Sequence, residues 1–396
     1  MWLRSRERWR QRHSALGAAI RAIRSPGAWR AASALGLVLA LAAAGCSPYK
    51  PFDTAAFVHE QYTRRVRPED LPGVVVPFQI NDEVRAEFRK LGRRESGNEE
   101  HKVTQVVGFI FDDLGLKYSL TPTRDAVATF RTRHGNCLSF VNLFVGLARD
   151  VGLNPFYVEV TDYQTWNHRE GMVVSQGHIV GGMYLTGDLR TYDFLPYRPK
   201  AYKQFKPIDD LTAVAHFYNN LGAEALLAGD LPQAIHLLGI ANQIAPRFEK
   251  SLNNLGVCKA RSGDYEGALA LYRKGLETDP ADTMIMTNMS RAYQQLGRVD
   301  EANALLAKVE ASNTTNPFFF VYEGDMALAR GDTQKALDYM VRALRLDSEV
   351  PEVHVGLMKV YLALGDVEKA KHFLERALKL DANDREARRY AYLLGK

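Results

Sequence analysis

The feature that most constrains the fold is a repeat of 34 residues in the C-terminal half of the chain. Glycine recurs at this interval five times, and so does alanine. The glycines are Gly229, Gly263, Gly297, Gly331 and Gly365, and the alanines are Ala234, Ala268, Ala302, Ala336 and Ala370. Each unit has the apolar spacing of two amphipathic helices joined at a glycine, which can adopt the left-handed conformation that ends a helix. Because one unit cannot bury its apolar face alone, we expect neighbouring units to stack into a continuous core.

A second series of small residues runs through the same units. Its members are Gly222, Gly256, Ser290 and Gly324, and Met358 breaks it. The pattern resembles the tetratricopeptide repeat, with five units over 215–384 and a closing helix at 385–396. The resemblance implies an all-α solenoid that binds an extended peptide or a partner helix. A spacer, or an array that packs only on its own neighbouring domain, is the alternative. Cys258 is expected to be a packed core thiol.

The N-terminus has the pattern of a secretion signal. Residues 31–45 form an apolar run behind an arginine-rich stretch, which is typical of a signal peptide and too short for a membrane-spanning helix. The run ends in AAGC and resembles the bacterial lipobox, which implies a lipid on Cys46. Ser47 resembles the outer-membrane sorting pattern. We therefore expect a lipoprotein of the cell envelope that faces the periplasm; an uncleaved N-terminal anchor is the alternative.

Charge and cysteine content exclude several classes of function. The chain has a formal charge of +5, but eight arginines and one glutamate give residues 1–45 a net +7, which leaves −2 for the remainder. A folded body near neutrality does not favour nucleic-acid binding. The 3 cysteines are too few and too scattered for a disulfide framework or a zinc site. We predict neither a metal nor a cofactor, because no calcium-loop spacing of carboxylates is found.

The middle of the chain has the pattern of an α+β unit. Helical spacing at 101–115 and in the apolar run LSFVNLFVGLARDVG is followed by three strand-like runs, at 156–160, 178–185 and 190–194. A surface loop is predicted at 161–177, with Trp166 and His168 as candidates for a substrate wall.

These patterns divide the chain into four regions. They are a signal peptide at 1–45, a proline-containing segment of linker and helices at 46–99, the α+β domain at 100–205, and the repeats with their closing helix at 215–396. In the second region, helices are predicted around 54–65 and 82–92.

Cys137 stands where a reactive thiol is expected. It opens the apolar helix, and the positive end of a helix dipole stabilises a thiolate. We interpret Gly135 as leaving room for a substrate to reach the sulfur. His178 and Asp193 fall on neighbouring antiparallel strands, where facing side chains lie about 5 Å apart, so the carboxylate can orient the imidazole. His134 is a rival base.

The segments HGNCLSF, GHIV and TYDF, in this order, resemble the nucleophile, histidine and aspartate elements of the transglutaminase-like superfamily. The resemblance implies a papain-like α+β core in which Cys137 is the nucleophile, His178 the base and later the acid, and Asp193 the orienting group. Many members have His-Ala-Trp and Asp-Pro where this chain has His-Ile-Val and Asp-Phe, so the substrate class stays open.

We therefore predict cleavage or transfer of a peptide or protein amide through a thioester, with the repeats binding the substrate or a protein partner. Two alternatives remain. One is a non-catalytic adaptor, in which a degenerate cysteine domain binds peptide. The other is an assembly scaffold for envelope complexes.

Overall fold

The computed structural model describes residues 53–93, 96–169, 172–195, 204–312 and 314–394. The predicted signal peptide and Cys46 lie outside these residues. Within the ranges given, none of the helices combines the length and the apolar character that crossing a membrane requires.

The N-terminal part of the described chain is mixed helix and strand. Its helices are α1 (Thr54–Phe57, extended by a π-helical turn, Val58–Tyr62), α2 (Asp82–Lys90), α3 (Glu99–Gly108, extended by a π-helical turn, Phe109–Asp113), α4 (Ala126–Thr132) and α5 (Cys137–Asp150). Its strands are β1 (Lys117–Tyr118), β2 (His134–Gly135), β3 (Phe156–Arg169), β4 (Met172–Leu185), β5 (Asp188–Tyr192) and β6 (Phe205–Ile208). The predicted α+β class is confirmed.

Two sheets position the site. Strands β1 and β2 form a short parallel pair, which fixes the chain immediately before α5. The other four strands form an antiparallel sheet in the order β5-β4-β3-β6. The predicted loop at 161–177 is wrong, because Gln164–Arg169 of β3 pair with Met172–Gly177 of β4 as a two-stranded ribbon. Hydropathy does not reveal such a ribbon, since backbone pairing alone specifies no apolar face.

Helix α5 packs closely on the sheet and on the segment before α2, because a glycine leaves space at each contact. A Cβ at Gly181 of β4 would lie 2.7 Å from the ring of Phe144. On the helix itself, a Cβ at Gly146 would lie 2.3 Å from the carbonyl oxygen of Phe78. The Tyr157 hydroxyl of β3 donates to the Asn142 side chain of α5 at 2.8 Å. These contacts hold the helix that begins at the predicted nucleophile against the strands that bear its partners.

The segment predicted to be partly linker is a structural part of the domain. Its helices α1 and α2 match the two predicted ones in place. Buried apolar side chains line the segment between and within these helices and join the domain core: Tyr62, Val66, Val76, Phe78, Ile80, Val84 and Phe88. The prolines suggested a linker, but the apolar residues between them are packed.

The repeats form five antiparallel helix pairs and a closing helix. The helices are α6 (Asp210–Leu227), α7 (Leu231–Ile244), α8 (Glu249–Arg261), α9 (Tyr265–Thr278), α10 (Thr283–Gln295), α11 (Val299–Ala311), α12 (Pro317–Ala329), α13 (Thr333–Leu346), α14 (Pro351–Ala363), α15 (Val367–Leu380) and α16 (Arg385–Leu393). All five repeat glycines have φ between 73° and 84°, and all five repeat alanines are fully buried. The predicted turn and close approach are confirmed.

The first repeat packs directly on the α+β domain. One continuous apolar cluster extends from Tyr62 to Phe248, and it includes buried residues of α6 and α7. At the edge of this interface, Arg149 of α5 makes a bidentate ion pair with Asp210 of α6, at 2.7 and 2.9 Å. The Tyr218 hydroxyl of α6 accepts a hydrogen bond from Val75 N at 2.7 Å. The first repeat and the domain therefore share one core.

Candidate active site

Cys137 is the first residue of α5. Asn136 caps the helix, and its side-chain oxygen accepts a hydrogen bond from Ser139 N at 3.0 Å. This cap satisfies one of the N–H groups that a helix leaves without an internal partner. The thiol is free and partly exposed, and it stands at the positive end of the α5 dipole. A ligand can therefore reach the sulfur from solvent.

His178 and Asp193 lie together beside this helix end. The Nε2 atom of His178 is 3.0 Å from Oδ1 of Asp193, and the same oxygen accepts from Leu195 N at 3.1 Å. The imidazole is almost fully buried, whereas the carboxylate is 28% exposed. The Cys137 side chain is near enough to the His178 ring to raise the pKa of the ring. Because Nε2 is engaged by Asp193, Nδ1 is the ring nitrogen left for the sulfur.

The electrostatics of the site favour a charged imidazole. Burial on its own lowers the pKa of His178, but the hydrogen-bonding and charge effects of Asp193 and Cys137 together outweigh burial and raise the pKa from 6.5 to about 9. At neutral pH the ring therefore carries a proton, and an imidazolium beside a sulfur favours the thiolate. The three groups can supply a nucleophile, a proton donor and an orienting carboxylate.

The strand positions differ from the sequence interpretation. His178 lies within β4 rather than at its start, and Asp193 follows the last residue of β5. The two side chains meet although Asp193 lies beyond the strand, whereas the prediction placed them on facing strand positions. The role of each residue in catalysis stays a prediction.

A bulge adjoins the histidine. His178 pairs with Val160 of β3, whereas Gly177 pairs with Gln164, so the three residues between have no partner on β4. Such bulges bend a strand and are common next to active sites. A break in backbone pairing leaves no mark in the residue pattern, and the sequence interpretation missed it.

Gly135 and His134, the two residues before Asn136, lie in different environments. A Cβ at buried Gly135 would lie 2.6 Å from the Cβ of Ser139, so this glycine is required for packing on the first turn of α5. His134 is exposed, and its Nδ1 lies 2.7 Å from the carbonyl oxygen of Thr132. The side chains of Trp166 and His168 lie outside the described residues.

A separate cavity lies between the sheet and the repeats. Its volume is about 300 Å³, and its lining includes Glu159 of β3, Lys206 of β6, Lys250 and Asn253 of α8, and Asp282 before α10. Neither Cys137 nor His178 lines it. Among the residues that the structure describes, no cluster of three or more His, Cys, Asp or Glu side chains is suited to a metal ion.

The fold and the thiol site together define a cysteine domain of the papain-like α+β class joined to a helical solenoid. Comparison with known families agrees. Residues 89–196 match the transglutaminase-like superfamily, and residues 215–283, 259–317 and 327–395 match tetratricopeptide-repeat models. The chain thus contains a transglutaminase-like domain followed by tetratricopeptide repeats.

Individual relatives match only parts of the chain. The small glutamine-rich tetratricopeptide repeat-containing protein 2 of Mycosarcoma maydis is 30% identical over 88 residues, which are 22% of this chain and 25% of that protein. The cellulose synthase operon protein C of Pseudomonas fluorescens is 29% identical over 147 residues, which are 35% of this chain and 12% of that protein. This chain therefore spans a quarter of the first relative's length and about an eighth of the second's.

Solved structures also match in part. A tetratricopeptide-repeat protein of Thermus thermophilus is 23% identical with a TM-score of 0.42, and the match covers 46% of this chain and 100% of that one. MamA of Desulfovibrio magneticus is 20% identical with a TM-score of 0.32, and the match covers 43% of this chain and 97% of that one.

Proposed function

We propose that this chain is a cell-envelope cysteine enzyme that cleaves, or transfers, a peptide or protein amide through a thioester. The observation that carries the proposal is the buried His178 ring, which is hydrogen-bonded to Asp193 and whose pKa is raised by Asp193 and by the thiol at the start of α5. A lone cysteine at a helix end would not account for this arrangement. A charged histidine between a carboxylate and a sulfur is what nucleophilic catalysis by cysteine requires.

The steps follow from the charge states of these groups. The Cys137 thiolate attacks the amide carbonyl carbon, and its backbone N–H is positioned to stabilise the oxyanion that forms. The His178 imidazolium then gives its proton to the leaving nitrogen as the carbon–nitrogen bond breaks, which leaves a thioester and a free amine. Neutral His178 next takes a proton from water, which attacks the thioester and releases the acid and the thiolate. Another amine in place of water would give transfer.

The repeats are proposed to bring a protein partner or substrate to this domain. Tetratricopeptide repeats are protein-binding modules, and here the first repeat shares its core with the cysteine domain. The cavity of about 300 Å³ is lined by both parts, which supports a peptide path that contacts sheet and repeats together. The chain offers no basis for nucleic acid as the partner.

Acyl transfer can be tested with p-nitrophenyl acetate, a small acyl donor that needs no specific binding site. We expect a burst of one p-nitrophenolate per chain and an acetyl thioester on Cys137, located by mass spectrometry. The control is Cys258→Ala, which should leave the burst unchanged because Cys258 is fully buried and burial raises its pKa to about 11. Cys137→Ala should show no burst, because it lacks the nucleophile.

The adaptor alternative predicts a different result in the same experiment. A degenerate site would give no burst, and Cys137 and Cys258 would be acetylated slowly and to similar extents. The scaffold alternative is distinguished from the enzyme by an experiment in cells. It predicts that Cys137→Ala leaves the cellular function intact, whereas deletion of 215–396 abolishes it.

We further propose that a lipid on Cys46 anchors the protein in the envelope on the periplasmic side, in the outer membrane. The support is the AAGC motif behind an apolar run. Cys46→Ala should move the protein from the membrane fraction to the soluble fraction, or leave it as an unprocessed precursor. Ser47→Ala is the matched control and should stay with the membrane. Equal fractionation of the Cys46→Ala variant and the wild type, with the precursor processed, would contradict the lipid anchor.

A further inference from the structure

The nucleophile helix and the first repeat are joined by a buried chain of hydrogen bonds. It starts at Ser139, whose hydroxyl donates to Asn136 Oδ1 at 2.9 Å. Asn136 Nδ2 donates to Thr123 Oγ1 at 2.7 Å. The Thr123 hydroxyl donates to Glu224 Oε1 of α6 at 2.7 Å, and Thr123 N donates to the same oxygen at 2.8 Å. The chain therefore ends on a carboxylate that belongs to the repeats.

The direction of each bond in this chain is set by groups that can only donate or only accept. Burial raises the pKa of Glu224, whereas the two hydrogen bonds from Thr123 favour its charged form. When ionised, this carboxylate only accepts, so the Thr123 hydroxyl gives its hydrogen to Glu224. Its lone pair is then free to accept from the amide nitrogen of Asn136. With Nδ2 held there, the other end of the Asn136 amide is the oxygen, and it faces Ser139 N and Ser139 Oγ. Thr123, Asn136 and Ser139 are all buried, so water does not compete for these bonds.

We propose that Glu224 is a positioning residue for the active-site thiol, acting through Thr123 and Asn136. The proposal rests on the function proposed above. Without the acceptor at Glu224, Thr123 loses both of its hydrogen bonds to α6. The segment that contains Thr123 and Leu120, which both accept from Asn136 Nδ2, is then no longer held against the repeats. The Asn136 side chain can shift away from Ser139 N, and the cap is weakened. Cys137 is the next residue after this cap, so fraying of the first turn moves the sulfur away from His178.

Through Glu224, the repeats take part in positioning the reactive thiol. Glu224 lies 101 residues from Thr123 along the chain, on a helix whose small residues pack within the first repeat. The α+β domain alone does not contain the final acceptor, so its thiol is fully positioned only when α6 is in place.

The test uses full-length variants and the rate of alkylation of Cys137 by iodoacetamide between pH 5 and 10. Glu224→Leu and Thr123→Val should each slow alkylation at pH 6 about tenfold, roughly the effect of one hydrogen bond, and move the pH profile towards that of an ordinary thiol. Glu224→Gln and Thr123→Ser keep the acceptor and the hydroxyl, so both should react within about twofold of the wild type. Rescue by these conservative variants is not expected from a merely structural role.

Tyr218→Phe is the matched control on the same helix. It removes the acceptor for Val75 N at another point of the interface, so it should lower the thermal midpoint without changing the pH profile. The proposal is overturned if Glu224→Leu alkylates like the wild type, or if Tyr218→Phe slows alkylation as much. The proposed function fails separately, if the wild type and His178→Ala alkylate alike.

Discussion

Replacing His178 with alanine is expected to slow alkylation of Cys137 by iodoacetamide at pH 6 by about 10²-fold or more. Only the thiolate reacts, and a cysteine with the ordinary pKa of about 8.5 is roughly 0.3% ionised at this pH. In the wild type, the His178 pKa of about 9 keeps the ring charged beside the sulfur. Removing the ring removes this charge, so the sulfur returns to the behaviour of an ordinary thiol.

The difference in alkylation rate between the wild type and His178→Ala is expected to depend on pH. The His178 pKa is raised, so the proton stays on the ring at neutral pH and is lost only as the pH rises through about 9. The wild type should therefore alkylate well at pH 6, whereas His178→Ala should gain reactivity only as the pH approaches about 8.5, the ordinary thiol pKa. The difference between the two should shrink to a few-fold above pH 9.

Asp193→Asn provides the intermediate case. It removes the charge that helps to raise the His178 pKa but keeps a hydrogen-bond acceptor at Oδ1. The profile should fall between those of the wild type and His178→Ala. If all three proteins share one profile, no charged imidazole acts on the thiol, and the enzymatic proposal is wrong.

The sequence predicted the features that depend on local pattern. The repeats followed from glycine and alanine positions that each require a particular local geometry, and the structure gives all five glycines the expected positive φ. Cys137, His178 and Asp193 were identified from three short motifs in a fixed order. Motifs of this kind name residues and leave the geometry between them undetermined, and the positions of His178 and Asp193 on their strands were accordingly misjudged.

The features that depend on tertiary contact were not predictable from one sequence. In the sequence, nothing distinguishes Glu224 from other polar residues of a helix. Its proposed role in positioning the thiol follows only from its hydrogen bond with Thr123. The packing of the segment before residue 93 was likewise missed, because prolines mark a change of direction whether or not the chain is buried. The sequence analysis did not identify Asn136 as a helix cap, and its second partner, Thr123, is visible only in the structure.

The docking of the second repeat is expected to depend on one buried ion pair. Lys250 of α8 pairs with Glu159 of β3, a residue that is 8% exposed and adjoins the strand position opposite His178. Burial raises the pKa of Glu159, but the charge and hydrogen bond of Lys250, together with the smaller effects of His216 and Lys206, outweigh burial, and the pKa is lowered overall. His216 nearby cannot replace the lysine, because burial lowers its pKa to about 3 and leaves it neutral.

Lys250→Met should therefore lower the free energy of unfolding at pH 7 by about 3–5 kcal/mol, since it leaves a buried carboxylate without its partner. The double variant Glu159→Gln with Lys250→Met removes both charges and should recover most of this loss. Lys259→Met is the matched control on the same helix. Its lysine pairs with Asp264 at 3.0 Å, but both side chains are nearly half exposed, so its loss should stay below about 1 kcal/mol.

The stability of the variants at low pH tests the Glu159–Lys250 ion pair independently. A carboxyl whose folded pKa is depressed stabilises the fold above its unfolded pKa, which is near 4.5 for Glu159, and this contribution is lost as the pH falls through the folded value. The penalty of Lys250→Met, measured by urea unfolding, should therefore be largest at neutral pH and shrink below pH 4.5. A penalty that equals that of Lys259→Met at pH 7, or that does not change with acid, would mean that the pair does not hold the repeats on the sheet. The α+β domain and the repeats would then be joined by the core they share and by the polar contacts of the first repeat, such as Arg149 with Asp210.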